Sequence, residues 1–359
     1  MEHHGNDRQP TPQWPLRLVF WELTARCNLH CRHCRAEAGP DASPDELATG
    51  EIISAARSIR DFADPIVVLT GGEPLVRSDF FEIAEACRGT FSRVALATNG
   101  TLIDDTMAQR IVNAGIARTS ISLDGATAET HDAFRGQTGS FTAALTGFEA
   151  LKQAGMSMQV NVTVTKHNVH ELERLLTLAM EKGAEAFHVF MLVPVGCGAE
   201  IADDQRLSPQ ETERALTWLF EKSVELGQHL QIKATCAPQY FRIMQTESAR
   251  RGVTVAKPRH GMAAVTRGCL AGSAVCFISR TGDVQPCGYL PLQVGNVRRQ
   301  PLQTIWQTSP TFADLRNPDK LTGKCGACQY RKLCAGCRAR AYATTGDHLA
   351  EEPDCPHQP

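Results

Sequence analysis

The chain has 359 residues, 42% of them hydrophobic and 21% charged, with a formal net charge of −2. This length suits one large α/β domain with a smaller one beside it, and the near-neutral balance excludes wholesale electrostatic capture by nucleic acid or an anionic membrane. The uncharged runs His188–Ala199 and Gly268–Ser279 hold 12 residues each, short of the ~20 that span a bilayer, and residues 1–15 read as a polar, disordered N-terminus without the apolar core of a signal peptide.

In chain order, apolar, β-branched runs at Leu16–Leu23, Pro65–Thr70, Arg93–Thr98, Ala117–Leu123, Met158–Thr165 and Ala186–Val193 predict six strands. Amphipathic stretches at Glu51–Phe62, Phe80–Cys87, Asp105–Ala114, Ser140–Gln153 and Val169–Lys182 predict helices between them. The alternation argues for an α/β fold with a parallel sheet and right-handed crossovers. Six units are too few for an eight-stranded barrel, so residues 16–200 are expected to form an open, partial (β/α)6 barrel. Its active face lies at the strand C-termini. Polar and glycine-bearing signals gather there, at Thr24–Cys27, Thr70–Pro74, Thr98–Gly100 and Leu123–Gly125. Residues 201–268 read as a bridge: a polar turn, a helix over Pro209–Leu226, then a poorly patterned stretch. Residues 269–359 form a loop-rich segment that needs bound metal to organise it.

The 14 cysteines are the compositional anomaly. Without an export signal, metal ligation outweighs structural disulfides. Cys27, Cys31 and Cys34 follow the first strand; three thiolates hold three corners of a metal cluster and leave the fourth free. A closed zinc site needs a fourth donor, which His30 or His33 can supply. A second array contains Cys269, Cys276, Cys287, Cys325, Cys328, Cys334, Cys337 and Cys355, and its two Cys-x2-Cys pairs also suit zinc knuckles. Cys87 reads as a small buried residue of a helix, and Cys197 and Cys236 as core or loop residues near the barrel mouth.

The Cys27-x3-Cys31-x2-Cys34 motif after strand one, with Gly71-Gly72-Glu73-Pro74 after strand two, resembles the radical S-adenosylmethionine (SAM) superfamily. The resemblance implies a [4Fe–4S] cluster on the three cysteines, with SAM bound at the open iron and cleaved to a 5′-deoxyadenosyl radical. Gly71 and Gly72 would let backbone approach SAM, and Glu73 and its carbonyl neighbours would accept from the SAM ammonium. Asn99, Ser122 and Asp124 would contact ribose or carboxylate, and Arg135 would pair the SAM carboxylate. Arg35 departs from the family's usual aromatic residue and puts a cation at the mouth. The second array is similar to the SPASM extension of the superfamily, which implies one or two auxiliary [4Fe–4S] clusters. Carried over by position, Cys269, Cys276, Cys287 and Cys337 would hold one, and Cys325, Cys328, Cys334 and Cys355 the other. The last spacing is shorter than the usual one, and Cys269 to Cys276 is longer. Either departure means altered ligation or a single auxiliary cluster.

The segments at 21–36 and 233–242 are similar to the haem-pathway branch of the superfamily. That implies a tetrapyrrole substrate, iron-coproporphyrin III, with two propionates oxidatively decarboxylated to vinyl groups. It also implies electron donors and acceptors, and a cytoplasmic setting without nucleic-acid or membrane partners. A haem d1 pathway enzyme acting on a related tetrapyrrole, a SPASM peptide maturase and a non-catalytic Fe–S or zinc scaffold are the competing readings. Only about 15 residues precede the first strand, which leaves little room for a peptide-recognition domain. Arg250, Arg251, Lys257, Arg259, His260 and Arg267 form a basic strip over residues 249–268 with no acid among them. With Arg35, and in particular through Lys257, Arg259 and Arg267, the strip is expected to receive substrate carboxylates. Tyr240 and the histidines are candidate ligands of the substrate iron.

Overall fold

The β-branched runs pair side by side and in sequence. In the computed structural model, described for residues 14–227, 229–253 and 267–359, β1 (Leu18–Glu22), β2 (Ile66–Thr70), β3 (Val94–Thr98), β4 (Arg118–Ser122), β5 (Met158–Val164) and β6 (Ala186–Met191) pair in parallel in chain order. The residues of β2, β3 and β5 alternate between buried and half-buried. One face therefore meets the helices, and the other lines the barrel interior. The crossovers are α1 (Thr49–Arg60), α2 (Phe80–Thr90), α3 (Asp105–Asn113), α4 (Ala128–Arg135), α5 (Ser140–Gln153) and α6 (Leu172–Lys182). Side chains cap the starts of two of them: Asp104 accepts from Met107 N in α3, and Thr127 from Thr130 N in α4. Cys87 is buried in α2 against the main core.

Two parts of the chain depart from the expected pattern. The bridge supplies a seventh parallel strand, β7 (Gln231–Thr235), beside β6, and a helix over Gln239–Arg251. Both are polar: β7 is a half-exposed edge strand and the helix buries only one side, so neither gives a clear hydrophobic period. The C-terminal segment also adds to the same sheet. There β8 (Val275–Ile278) runs parallel to β1 on the side away from β2, followed by antiparallel β9 (Asp283–Gln285) and β10 (Gly295–Asn296). Among the described residues the sheet thus has ten strands, in the order β10-β9-β8-β1-β2-β3-β4-β5-β6-β7. Among the described residues, no helix is long and apolar enough to cross a membrane.

Candidate active site at the barrel mouth

The loop after β1 is held by backbone bonds on both sides. Leu23 N donates to Thr70 O at 2.8 Å, Gly72 N to Thr24 O at 2.8 Å and Glu73 N to Arg26 O at 2.8 Å, so the β1–β2 ladder runs on past both strands. A Cβ on Gly72 would lie 2.3 Å from Arg26 O, and one on Gly71 2.8 Å from Thr24 O. The glycines are needed for this chain-to-chain approach, and both also line the cavity. On the other side, His30 N and Arg32 N donate to the carbonyls of Arg135 and Phe134 at the end of α4. Its C-cap, Gly136, has φ +69°, and a Cβ there would stand 2.3 Å from His30 O.

This loop puts Cys27, Cys31 and Cys34 on the wall of a cavity of about 190 Å³ at the strand C-termini, with Gly71, Gly72, Asn99, Ser122 and Arg135 on the facing wall. Leu29 N donates to Cys27 Sγ and Ala38 N to Cys34 Sγ, each at 3.4 Å, and Arg135 Nη1 lies 3.6 Å from Cys31 Sγ. Such donors favour thiolate ligands. Burial nevertheless pushes the Cys27 thiol up to about 11 and raises that of Cys31, so metal must displace the protons. Neither histidine completes a zinc site. His30 is exposed; the His33 ring stacks on Phe134 at 4.2 Å and its Nε2 meets Asp124 at 3.2 Å. Among the described residues, no three His, Cys, Asp or Glu side chains converge on one ion. Three thiols without a fourth protein donor fit a [4Fe–4S] cluster with one open corner.

The acidic residues play parts other than those expected. Glu73 is fully buried, its oxygens taken by Thr98 Oγ1 at 2.9 Å, Asn99 N at 2.7 Å and Leu75 N at 3.1 Å. Its side chain ties the Gly-Gly-Glu-Pro turn to the end of β3, leaving backbone carbonyls to receive an ammonium. With no cation beside it, burial pushes its carboxyl up to about 7. Asp124 is likewise shut from the cavity, accepting from Thr163 N at 2.7 Å and pairing with Arg135 Nη2 at 2.5 Å. Burial works to raise its carboxyl, but Arg135 and His33 beside it hold it below the usual range. Asp124 therefore positions Arg135, whose buried Nε has no hydrogen-bond partner. Ser122 lines the cavity as expected, and Asn99 does so with Nδ2 bonded to Asn28.

Arg35 is not a free cation. It pairs with buried Glu22 at 2.8 Å, which also pairs with Arg280 at 2.6 Å, and its guanidinium lies 4.6 Å over the Phe277 ring. Of the basic strip, the described members Arg250, Arg251 and Arg267 have partners of their own. Arg250 and Arg251 bond to Glu247, and Arg251 also to Glu221, on the exposed side of the Gln239–Arg251 helix. Acids from outside residues 249–268 neutralise them. Arg267 packs over Trp14 and donates to Leu315 O, away from the cavity. Lys257, Arg259 and His260 lie outside the described residues. Tyr240 is buried with its hydroxyl on Ser223 at 2.7 Å, and it does not line the cavity.

Sequence patterning missed the interior row. The register aligns Ser122, Asn161, His188 and Lys233 across β4 to β7. Ser122 and Asn161 line the cavity, as do Thr163, Phe190 and Tyr289. Burial lowers the Lys233 ammonium from its usual range, and no carboxylate pairs with it among the described residues. Polar residues at every second strand position were the available signal.

The C-terminal thiols form two groups. Cys325, Cys328, Cys334 and Cys355 line one small cavity with Arg242, Tyr330 and His357. Three of them accept backbone N–H groups: Cys328 from Tyr330, Cys334 from Gly336 and Cys325 from Glu352. This donor set fits a second cluster. Cys269 and Cys287 pack around buried Cys337, and Cys236 packs with them. Cys276 is not among them: it is fully buried in β8, opposite Val19 and within the main core, away from the thiols it was expected to join. None of the 14 cysteines is in a disulfide.

Comparison with known proteins follows the same division of the chain. Residues 21–179 match the family model "Radical SAM superfamily", and residues 269–338 match an "Iron-sulfur cluster-binding domain" of the SPASM type. The chain is 48% identical to the AdoMet-dependent heme synthase of Methanosarcina barkeri (strain Fusaro / DSM 804), over 96% of this chain and 97% of that protein. It is 34% identical to the pre-heme d1 synthase of Dinoroseobacter shibae (strain DSM 16493 / NCIMB 14021 / DFL 12), over 95% and 86%. Its fold resembles that of Streptococcus suis SuiB bound to precursor peptide SuiA, with TM-score 0.75 at 17% identity, over 96% of this chain and 76% of that one.

Proposed function

Because the chain belongs to the radical SAM superfamily and carries its SPASM extension, we propose that it is a SAM-dependent haem synthase that oxidatively decarboxylates two propionates of iron-coproporphyrin III to vinyl groups. The full-length match to a heme synthase, well above the match to a pre-heme d1 synthase, carries this reading. Cys27, Cys31 and Cys34 would hold the SAM-binding cluster, and the C-terminal thiols the auxiliary clusters. When bound, the first cluster would supply the electron for reductive cleavage of SAM, the radical chemistry by which a propionate β-carbon can lose hydrogen and the side chain then CO2 and one further electron to become an alkene.

The chain's own residues bind, orient and shield. Arg135, fixed by Asp124, offers its unpartnered Nε to the SAM carboxylate. Backbone carbonyls of the Gly71–Glu73 turn take the SAM ammonium, and Asn99 and Ser122 take polar groups of the nucleoside. Phe190 and Tyr289 keep water from the reacting carbon. Tyr289 also packs against the group of thiols containing Cys337, so an auxiliary cluster held there would serve as the electron acceptor nearest this cavity. Lys233, in the row that continues from Ser122, receives a substrate carboxylate and gains the counter-charge it lacks. The electron donor and final acceptor are separate partners, and the exposed clusters require a reducing cytoplasm.

Anaerobic incubation of the reconstituted protein with SAM, reductant and iron-coproporphyrin III tests the reading. Mass spectrometry should find loss of two formic-acid equivalents, stepwise through a monovinyl species. Deoxyadenosine release with an unaltered porphyrin would count against it.

A further inference from the structure

We infer that Cys236 is the fourth protein ligand of the auxiliary cluster held by Cys269, Cys287 and Cys337, and that Cys276 has no part in it. This rests on the reading that the C-terminal segment carries SPASM-type clusters.

The direction of the β8 side chains excludes Cys276. Residues facing each other across parallel strands point to the same side. In the β1–β8 pair, Cys276 faces Val19 and Ile278 faces Trp21, and all four lie in the main core on the helix side. Phe277, between them, points the other way and carries the Arg35 guanidinium. Bringing Cys276 to the mouth needs a one-residue slip of β8, which would turn Phe277 into the core.

Cys236 meets the requirement that Cys276 fails. It follows the last residue of β7, at the strand end that faces the mouth. There it packs with Cys269 and Cys287 against the cluster containing Val193, Leu290 and Cys337. Pro238, two residues on, closes against Gly268, while Gly268 N and Cys269 N donate to Leu333 O at 2.7 Å and Cys334 O at 3.1 Å. The turn after β7 and the Cys269 segment are thereby tied to the Cys334–Cys337 loop. The backbone of Cys236 has φ +56°, a left-handed conformation that is unfavourable for a residue with a Cβ. Arg340 Nη2 holds that conformation by donating to Cys236 O at 2.9 Å. Strain fixed by a buried arginine, on a thiol placed against three other thiols, fits a ligand rather than a filler of core space.

The test counts iron in the full-length Cys27→Ala/Cys31→Ala/Cys34→Ala variant, so that only auxiliary clusters contribute. This parent should bind about eight irons, two four-iron clusters. Cys236→Ala should lose about four irons or show the electron paramagnetic resonance signal of a cluster lacking one corner, as Cys337→Ala should. Cys276→Ala should match the parent. Cys236→Ser keeps side-chain size and a weaker donor, so it should retain the fold and shift the reduced spectrum. An unchanged spectrum in Cys236→Ser, or loss of the cluster in Cys276→Ala with Cys236→Ala unaffected, overturns the inference. A parent without iron overturns the auxiliary-cluster reading itself, a different result from either.

Discussion

Arg340 and Glu352 form an ion pair, Nη1 to Oε1 at 3.1 Å, closed off from solvent on both sides. The other Glu352 oxygen accepts from Cys337 N at 2.6 Å, and Glu352 N donates to Cys325 Sγ at 3.2 Å. One acidic residue thus touches both groups of C-terminal thiols. Arg340 also pairs with Asp354 at 3.0 Å and donates to Leu192 O at the end of β6. The pair ties the cysteine-rich segment to the barrel.

Removing one partner leaves buried charge without compensation. Arg340→Met should destabilise the protein by about 3–5 kcal/mol, because Glu352 and Asp354 are then left facing each other. Chemical unfolding of the anaerobic protein measures this, and iron analysis should find the loss confined to the C-terminal clusters. A Met variant as stable as wild type would show that the pair only fills space.

Gly72→Ala should separate the two ends of the molecule in the opposite sense. The added methyl meets backbone, the Arg26 carbonyl at 2.3 Å, so no rotamer relieves it and the loop carrying Cys27 must move. A displacement of about 1 Å in a catalytic arrangement can cost about 100-fold in rate. Reductive SAM cleavage, followed as deoxyadenosine, should fall at least tenfold, while auxiliary iron stays at the wild-type level.

Glu73 makes stability depend on pH. Its carboxyl, near 4.5 in the unfolded chain and about 7 when folded, binds its proton more tightly in the folded state. The stabilisation is complete below about pH 4.5 and is lost as pH rises through 7, a total of about 3 kcal/mol. Glu73→Gln lacks that titration. The stability difference, wild type minus variant, should therefore fall by about 2.5 kcal/mol between pH 5 and pH 8 in urea melts. A flat difference would mean that the three donors hold the carboxylate charged throughout.

Lys233→Met should weaken substrate capture without touching SAM chemistry. A charge-assisted hydrogen bond is worth about 1.5–3 kcal/mol, so the porphyrin dissociation constant should rise roughly 10- to 100-fold in an absorbance titration. Substrate-free SAM cleavage should remain as in wild type. An unchanged titration removes Lys233 from the substrate site.

The barrel was legible because six β-branched runs alternate with amphipathic helices, and the Cys27–Cys34 spacing with Gly71–Pro74 marked its mouth. What stayed hidden is what spacing along the chain cannot encode. Cys276 stands at a plausible interval from Cys269, but strand parity turns it into the core; Cys236 stands far outside the array, and β7 carries it back. Glu73 and Asp124 were placed at the right strand ends, yet which way a carboxylate points depends on donors from neighbouring strands, Asn99 N and Thr163 N. Arg250 and Arg251 escaped for a related reason, since the acids that answer them sit at 247 and 221.

The parallel pairing of β8 with β1 has an outcome for how the molecule is built in time. The strand that leads into Cys27, Cys31 and Cys34 does not gain its second neighbour until more than 250 further residues have been synthesised. Until then Val19 and Trp21 show one side to solvent along an open edge. A nascent chain halted before position 275 would leave that edge of β1 without its partner strand, while the bonds that hold the Cys27–Cys34 loop come from residues already made.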